Sequence, residues 1–350
     1  MFNRLFGKFS KDLGIDLGTA NTLVHIKDRG IVINEPSVVA INTRTNQILA
    51  VGQEAKKMVG KTPAHIVAIR PLTDGVISDF EVTEKMLKYF IDKVHKESFT
   101  LIPRPRVIIG IPLDITEVEK KAVEDAAMSA GAREVFLIEE PMAAAIGARL
   151  PVQDSSGNMI VDMGGGTTEI AVISLGGVVT FKSLKVAGDA LNNNIVQYAR
   201  NEYNLLIGEK VAEEMKIKVG AVIDLKQRLE TKMRGRDIIT GLPKEIQIYN
   251  INIMEAISKS IKLIIENIKA TLENTPPELV ADIYERGMIL TGGGALLRGL
   301  DKAISKATQI PARVAADPLT CVARGTGVVL DDLDQIRDVL VPSTESGGKI

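Results

Sequence analysis

Apolar positions along this chain form two kinds of run: short continuous ones that suit covered strands, and longer ones spaced three and four apart that suit helices. Residues 13–26 and 31–42 read as strands, with Asn34-Glu35-Pro36-Ser37 as an interruption, and 50–70 is a small mixed patch around Gly52, Gly60 and Pro63. Val82, Met86, Phe90 and Val94 share one face of a helix over 81–97. Val107-Ile108-Ile109-Gly110-Ile111 is continuous enough for a parallel strand covered on both sides. Thr116 and Glu119 form a capping box for a helix that Gly131 stops, and the strand 135–138 leads to a helix opened by Pro141.

The second half repeats this plan. A hairpin over 159–173 leads to a third strand near 178–186, and 190–240 reads as helix-rich and charged. Ile257, Ile261, Ile264, Ile265, Ile268 and Leu272 then mark an amphipathic helix stopped by Pro276-Pro277. The strand Gly287-Met288-Ile289-Leu290 runs into Thr291-Gly292-Gly293-Gly294, ahead of a helix over 295–306. Alternating strands and helices on this scale predict an α/β chain of two domains.

Two stretches of the pattern match each other. Leu13 to Val24 contains Asp16-Leu17-Gly18-Thr19-Ala20-Asn21, and Met159 to Ile170 contains Asp162-Met163-Gly164-Gly165-Gly166-Thr167-Thr168. Each is an apolar run ending in Asp, a Gly/Thr turn and a second strand. Such a turn aims amides and hydroxyls at one spot where a phosphate is held, and the Asp is placed to hold a metal ion directly or through its waters. Two such turns facing each other would clamp a polyphosphate. A third cluster, Gly292, Gly293, Gly294 and Ala295, gives a strand-to-helix turn suited to phosphate or ribose oxygens. Glu139-Glu140-Pro141 puts a carboxylate at the carboxyl edge of a strand, with proline keeping Glu140 out of helical geometry. There Glu140 either orients a water that attacks a terminal phosphate or only complements a helix dipole. Glu213, Glu214 and Lys216 either contact a ribose or base or form a solvated helix face.

Charge narrows the partners. Lys and Arg number 43 against 44 Asp and Glu, which gives no electrostatic footprint for nucleic acid. One cysteine, Cys321, excludes an internal disulfide framework and fits a reducing cytosol. His25, His65 and His95 lack ligand spacing, and neither a Walker A sequence nor a G-x-S-x-G elbow occurs.

The first residues follow a rule of their own. Phe2, Leu5, Phe6 and Phe9 fall on one helical face with Arg4, Lys8 and Lys11 elsewhere, the pattern of a short interfacial helix. Four such side chains contribute roughly 1.5–3 kcal/mol each when buried, against about 1–2 kcal/mol for ordering each residue. One copy binds a bilayer weakly and an array binds well, so the segment makes sense chiefly in an assembly. Phe99, Leu101 and Ile102, set among Lys96, Arg104 and Arg106, read as a second lipid contact or as core packing before strand 107–112.

Taken together, Asp16 to Thr22, Asn34 to Ser37, Arg70-Pro71 with Asp74-Gly75-Val76, Glu140 to Ala145, Asp162 to Glu169, Val186 to Asp189, Thr275 to Leu279 and Leu290 to Ala295 resemble the superfamily of actin, hexokinase and heat-shock chaperone ATPases. Within it they are closely similar to the MreB family of bacterial actins, from about residue 13 to 335. The resemblance implies two RNase H-like domains, each with a small subdomain, around a central nucleotide cleft. It assigns 13–34 with 70–150 and 318–341 to subdomain IA, 35–69 to IB, 151–187 with 252–317 to IIA and 188–251 to IIB. Residues 1–12 would be a membrane helix and 342–350 a disordered tail. Asp16 and Asp162 would hold Mg2+ through water, and the two turns would bind the phosphates of ATP. Glu140 and Thr167 would position the hydrolytic water, with Glu213, Glu214, Lys216 and Gly292 to Ala295 around the adenosine.

The resemblance further implies a slow ATPase coupled to filament turnover. The partners would be further copies in antiparallel double filaments, lipids of the inner membrane face and membrane proteins of the cell-wall elongation machinery, with rod shape as the outcome. The protein would be cytoplasmic and peripheral on that membrane. A chaperone-like ATPase would be expected to carry a peptide-binding domain after the cradle. A soluble small-molecule kinase of this superfamily would need a substrate pocket where this chain has only the short 35–69 insertion.

Overall fold

The computed structural model describes residues 10–96, 104–333 and 336–342, which form two compact units. The seven apolar positions expected to meet lipid, Phe2, Leu5, Phe6, Phe9, Phe99, Leu101 and Ile102, lie outside these residues.

The first unit comprises the described residues of Met1–Ser155, Ile173–Val178 and Leu319–Ile350. Its six-stranded sheet has the order Leu340–Val341, Glu134–Glu139, Arg106–Ile111, Leu13–Leu17, Asn21–Ile26, Gly30–Pro36. Glu134–Glu139, Arg106–Ile111 and Leu13–Leu17 run parallel, and Leu13–Leu17 turns back on Asn21–Ile26 as an antiparallel hairpin. Alternation decides the two faces. Leu13, Ile15, Leu17, Val107, Ile109 and Ile111 join Met86, Phe90 and Val123 in one core, under the helices Phe80–His95 and Glu117–Ser129. The opposite face carries Gly14 and Gly110, against Thr326 and Val322 of the helix Cys321–Asp331. That helix lies so close to the helix Glu140–Gly147 that a β-carbon on Gly325 would strike the Ala143 carbonyl.

The second unit comprises Ser156–Val172 and Val179–Pro318. Its sheet has the order Gly177–Leu184, Thr168–Ser174, Asn158–Met163, Met288–Thr291, Ala312–Val314. Counted along the chain, both large sheets place their first five strands as 3-2-1-4-5, so the duplicated motif sits at the same topological position in each. This is the paired RNase H-like α/β plan expected from the sequence. The long helix Asn250–Glu273 buries Ile253, Ile257, Ile261, Ile264 and Ile268 at helical spacing, and the capping box at Thr116 and Glu119 forms with both of its hydrogen bonds.

Three expectations need correction. The stretch 190–240 is helix-rich only as far as Val219: after the helices Gly188–Tyr203 and Glu209–Val219 comes an antiparallel hairpin, Glu230–Asp237 with Pro243–Tyr249. Its first strand alternates exposed Lys232, Arg234 and Arg236 around a single deeply buried Met233, so no apolar alternation marks it. The Gly292–Gly294 turn does not open an α-helix over 295–306 but a 3-10 turn, Gly293–Leu296. Leu297 then extends into the core and Gly299 starts the helix Leu300–Thr308, so that helix's N-terminal amides lie elsewhere. Finally, Glu140 is the first helical residue rather than extended. Glu139 (φ −64°, ψ 130°) takes the extended turn, and proline costs no hydrogen bond in a helix's first turn.

Candidate functional site

Each unit carries one of the two Asp-Gly/Thr turns, and the two are built by the same stratagem with different parts. In the first unit Asp16, one residue before its strand ends at Leu17, is half-buried and in register with Gly110 of the neighbouring strand. A methyl placed on Gly110 would lie 3.4 Å from Glu140 Cγ, so Asp16 and the buried Glu140 share one sheet edge. The turn between the strands is fixed from behind by Ser37, which is fully buried. Its N–H donates to the Ala20 carbonyl at 3.0 Å and its hydroxyl to the Gly18 carbonyl at 2.6 Å, within reach of Thr22 Oγ1 at 2.9 Å. In a trans peptide the carbonyl and the following N–H point opposite ways. With the Gly18 and Ala20 carbonyls held back, the Thr19 and Asn21 amides face away from Ser37. Thr19 is buried and its hydroxyl accepts from Gly75 N–H at 2.9 Å.

In the second unit the pins are backbone. Gly188 N–H donates to the Gly164 carbonyl at 3.1 Å and Asp189 N–H to the Gly165 carbonyl at 2.8 Å, which turns the Gly165 and Gly166 amides the other way. Lys216 Nζ in turn donates to the Gly188 carbonyl at 2.7 Å. Thr167 is buried and its carbonyl accepts from Gly164 N–H at 2.9 Å, while the Thr168 hydroxyl is committed to the Val186 carbonyl at 2.7 Å. Gly292 (φ +77°) lies against the Met163 carbonyl, where no side chain fits, and brings its strand end to the same turn. Gly294 and Ala295 are buried behind it.

Asp162 differs from Asp16 in its surroundings. It is buried, and that burial raises its carboxyl to about 6. The Thr291 hydroxyl beside it opposes the shift, yet neither that hydroxyl nor Asp162 Oδ1 completes a hydrogen bond. An orphaned, buried carboxylate oxygen is costly unless a cation or its waters meet it, so the donor set here fits a hard divalent ion such as Mg2+. Burial also raises Glu139 above the ordinary carboxylate range, with Lys120 opposing.

Of the predicted residues, the structure gathers Asp16, Gly18 to Asn21 and Glu140 in the first unit. In the second it gathers Asp162, Gly164 to Thr168, Lys216 and Gly292. Glu213 sits on the same helix as Lys216, half-buried, whereas Glu214 is exposed and pairs with Lys218. Sequence reasoning gave no role to Ser37, Gly188, Asp189 or Thr291. Two of the motifs that carried the resemblance, Asn34 to Ser37 and Val186 to Asp189, contained the signal. Among the described residues no helix is long and apolar enough to cross a membrane.

Two RNase H-like units with matched Asp-Gly/Thr turns define the actin-like class. Comparison with known proteins agrees. The profile of the MreB/Mbl protein family matches residues 10–338. The cell shape-determining protein Mbl of Bacillus subtilis (strain 168) is 52% identical over 328 residues, covering 94% of this chain and 98% of the relative. The cell shape-determining protein MreB of Escherichia coli (strain K12) is 52% identical over 338 residues, covering 95% and 97%. Crystal structures of MreB5 of Spiroplasma citri bound to ADP and to AMPPNP each superpose with a TM-score of 0.88 at 38% identity. Both cover 93% of this chain, and the match spans 98% and 97% of those chains. The MamK double helical filament shares the fold, at 22% identity and a TM-score of 0.78 over 92% of this chain and 99% of that one. The chain belongs to the MreB/Mbl family.

Proposed function

We propose that this chain is an adenine-nucleotide-binding bacterial actin that assembles into filaments on the inner face of the cell membrane, organises cell-wall elongation there and so maintains rod shape. The observation that carries the nucleotide reading is the pair of turns whose carbonyls are pinned back and whose amides face forward, each beside an Asp. ATP phosphates would take those amides, and Asp16 and Asp162 are the residues that would hold Mg2+ through water, which would offset the phosphate charge. Glu140 and Thr167 orient the attacking water, giving a slow ATPase whose turnover paces the filament. Glu213, Lys216 and Gly292 to Ala295 line the adenosine. Family membership supports this assignment, since the relatives are cell shape-determining proteins and MreB5 was crystallised with ADP and with AMPPNP.

The membrane reading rests on the amphipathic first residues and on how their root is tied. Arg104 N–H donates to Ser10 Oγ at 2.9 Å, Arg106 binds Asp12 through its backbone N–H and Nε at 2.8 Å, and Lys11 N–H donates to His95 Nε2 at 3.0 Å. Residues 10 and 104 therefore lie at neighbouring points, and the apolar residues of the two segments would act together as one weak anchor multiplied by assembly. The test is co-sedimentation with anionic liposomes, with and without MgATP, beside a variant carrying Phe2→Ser, Leu5→Ser, Phe6→Ser and Phe9→Ser. Pelleting that needs nucleotide, and that loses its liposome dependence in the variant, is the expected result. A chain that stays in the supernatant throughout would instead favour a soluble kinase or chaperone-like ATPase.

A further inference from the structure

We propose that Lys216 is a positioning residue that acts on the phosphates through the backbone. Its ammonium orients and polarises the Gly166 amide by way of two peptide groups, tying the helix Glu209–Val219 to the second phosphate turn. The inference rests on the nucleotide reading above and revises one part of it: Lys216 serves the phosphates through the Gly188 carbonyl rather than contacting the adenosine.

The path alternates hydrogen bonds with peptide planes. Lys216 Nζ donates to the Gly188 carbonyl at 2.7 Å. The far side of that peptide is the Asp189 N–H, which donates to the Gly165 carbonyl at 2.8 Å. The far side of the second peptide is the Gly166 N–H. Among the described residues every peptide bond is trans, so each plane passes the direction on: a donor behind fixes an amide in front. Hydrogen bonds in series also polarise one another, by roughly 10–30% per bond, and a cation at the head of the series adds to that effect in one direction. The Gly166 amide becomes a better donor to an anion than an ordinary turn amide.

Two further observations fit the relay. A β-carbon on Gly188 would lie 3.2 Å from the Gly164 carbonyl and 3.4 Å from Lys216 Nζ, so the glycine lets the turn and the ammonium close on the same peptide. The cation next along the helix, Lys218, is turned to Glu214 on the exposed side and takes no part. In the first turn a neutral hydroxyl, Ser37, holds the corresponding carbonyl.

The experiment measures the affinities of adenosine and ADP, with Mg2+, for the full chain and for Lys216→Met, Lys216→Gln and Lys216→Arg, by competition with a fluorescent ADP. Loss of a charge-assisted relay is expected to weaken ADP about tenfold in Lys216→Met while adenosine changes less than twofold. Lys216→Gln, which keeps a neutral donor and so guards against a folding defect, should show the same split at smaller size. Lys216→Arg should restore most of the ADP affinity. Equal losses for adenosine and ADP would overturn the relay and assign Lys216 to direct contact with sugar or base. Unchanged ADP binding in both Lys216→Met and Lys216→Gln would overturn it as well. A wild-type chain that binds neither ligand overturns the nucleotide reading itself, and this inference with it.

Discussion

The two Asp-Gly/Thr turns are nearly the same in sequence, yet they are supported in opposite ways. The first is held by a side chain: Ser37 brings its hydroxyl and its own amide to the Gly18 and Ala20 carbonyls. The second is held by the opening amides of the helix Gly188–Tyr203, with Lys216 behind them. The paired acids diverge too. Asp16 is half-buried, whereas Asp162 is buried with an orphaned oxygen and a raised carboxyl. A repeated motif thus fixes what a turn presents, while the elements brought up behind it fix how firmly and at what electrostatic cost.

The sharpest way to break this comparison is at the second turn's backbone. Gly292→Ala forces a side chain into positive φ and against the Met163 carbonyl, and should destabilise the second unit by upwards of about 3 kcal/mol. Differential hydrogen exchange between strands Asn158–Met163 and Leu13–Leu17 would read the damage, and equal protection of both would refute it.

Asp162→Asn should act the other way on the nucleotide-free protein. A carboxyl raised from 3.8 to about 6 makes the folded state resist ionisation, so stability declines as pH rises from near 4 through 6 and stays lower above. Removing the charge should therefore stabilise the second unit at pH 7.5 by up to about 3 kcal/mol, with no gain at pH 4. Mg2+-dependent nucleotide binding should be lost. Thermal melts at the two pH values decide it, and an unstable variant at pH 7.5 would sink the argument. Asp16→Asn, at a half-buried site, should also weaken nucleotide binding.

Ser37→Ala tests the first turn alone. Loss of a buried hydroxyl's bonds should cost about 1–2 kcal/mol and weaken nucleotide binding. No equivalent side-chain deletion exists for the second turn, whose direct pins are amides.

The smallest expected effect contrasts the units by pH. His95 is buried, accepts the Lys11 N–H at Nε2 and faces the Ile91 carbonyl through Nδ1, and burial lowers its pKa. Its contribution is complete above 6.5 and is lost as pH falls below that value, so mild acid weakens the first unit in the range where Asp162 gains. Exchange rates of the two strands, corrected for intrinsic pH dependence, should cross over; parallel trends would refute this.

Much of the architecture was legible because covered parallel strands are spelled as unbroken apolar runs, as at Val107 to Ile111, and because the twin Asp-Gly/Thr runs announced a duplicated plan. What was hidden depended on long-range packing. The burial of Asp162 comes from the strand ending at Thr291, and the pin at Ser37 comes from a strand two places along the sheet. The hairpin Glu230–Asp237 was masked by its charged outward residues, and the stretch after Gly294 by Leu297 leaving the helix for the core. Glu140 was placed correctly at its sheet edge but one step late in its helix, since the effect of proline on its predecessor is a bias that the end of a strand can absorb.

The close fit of Gly325 against Ala143 has a consequence for how the chain is made. The first unit begins with the earliest residues and needs the helix Cys321–Asp331, near the last, to cover Gly14 and Gly110. During vectorial synthesis the second unit, 156–172 with 179–318, is complete in the chain before that helix leaves the ribosome. Chains truncated after Pro318 and released from the ribosome should resist protease across 179–318 and remain cleavable between 104 and 155; protection of both would contradict this order. What starts first is finished last, and the opening half of the protein waits unsealed for its own C-terminal lid.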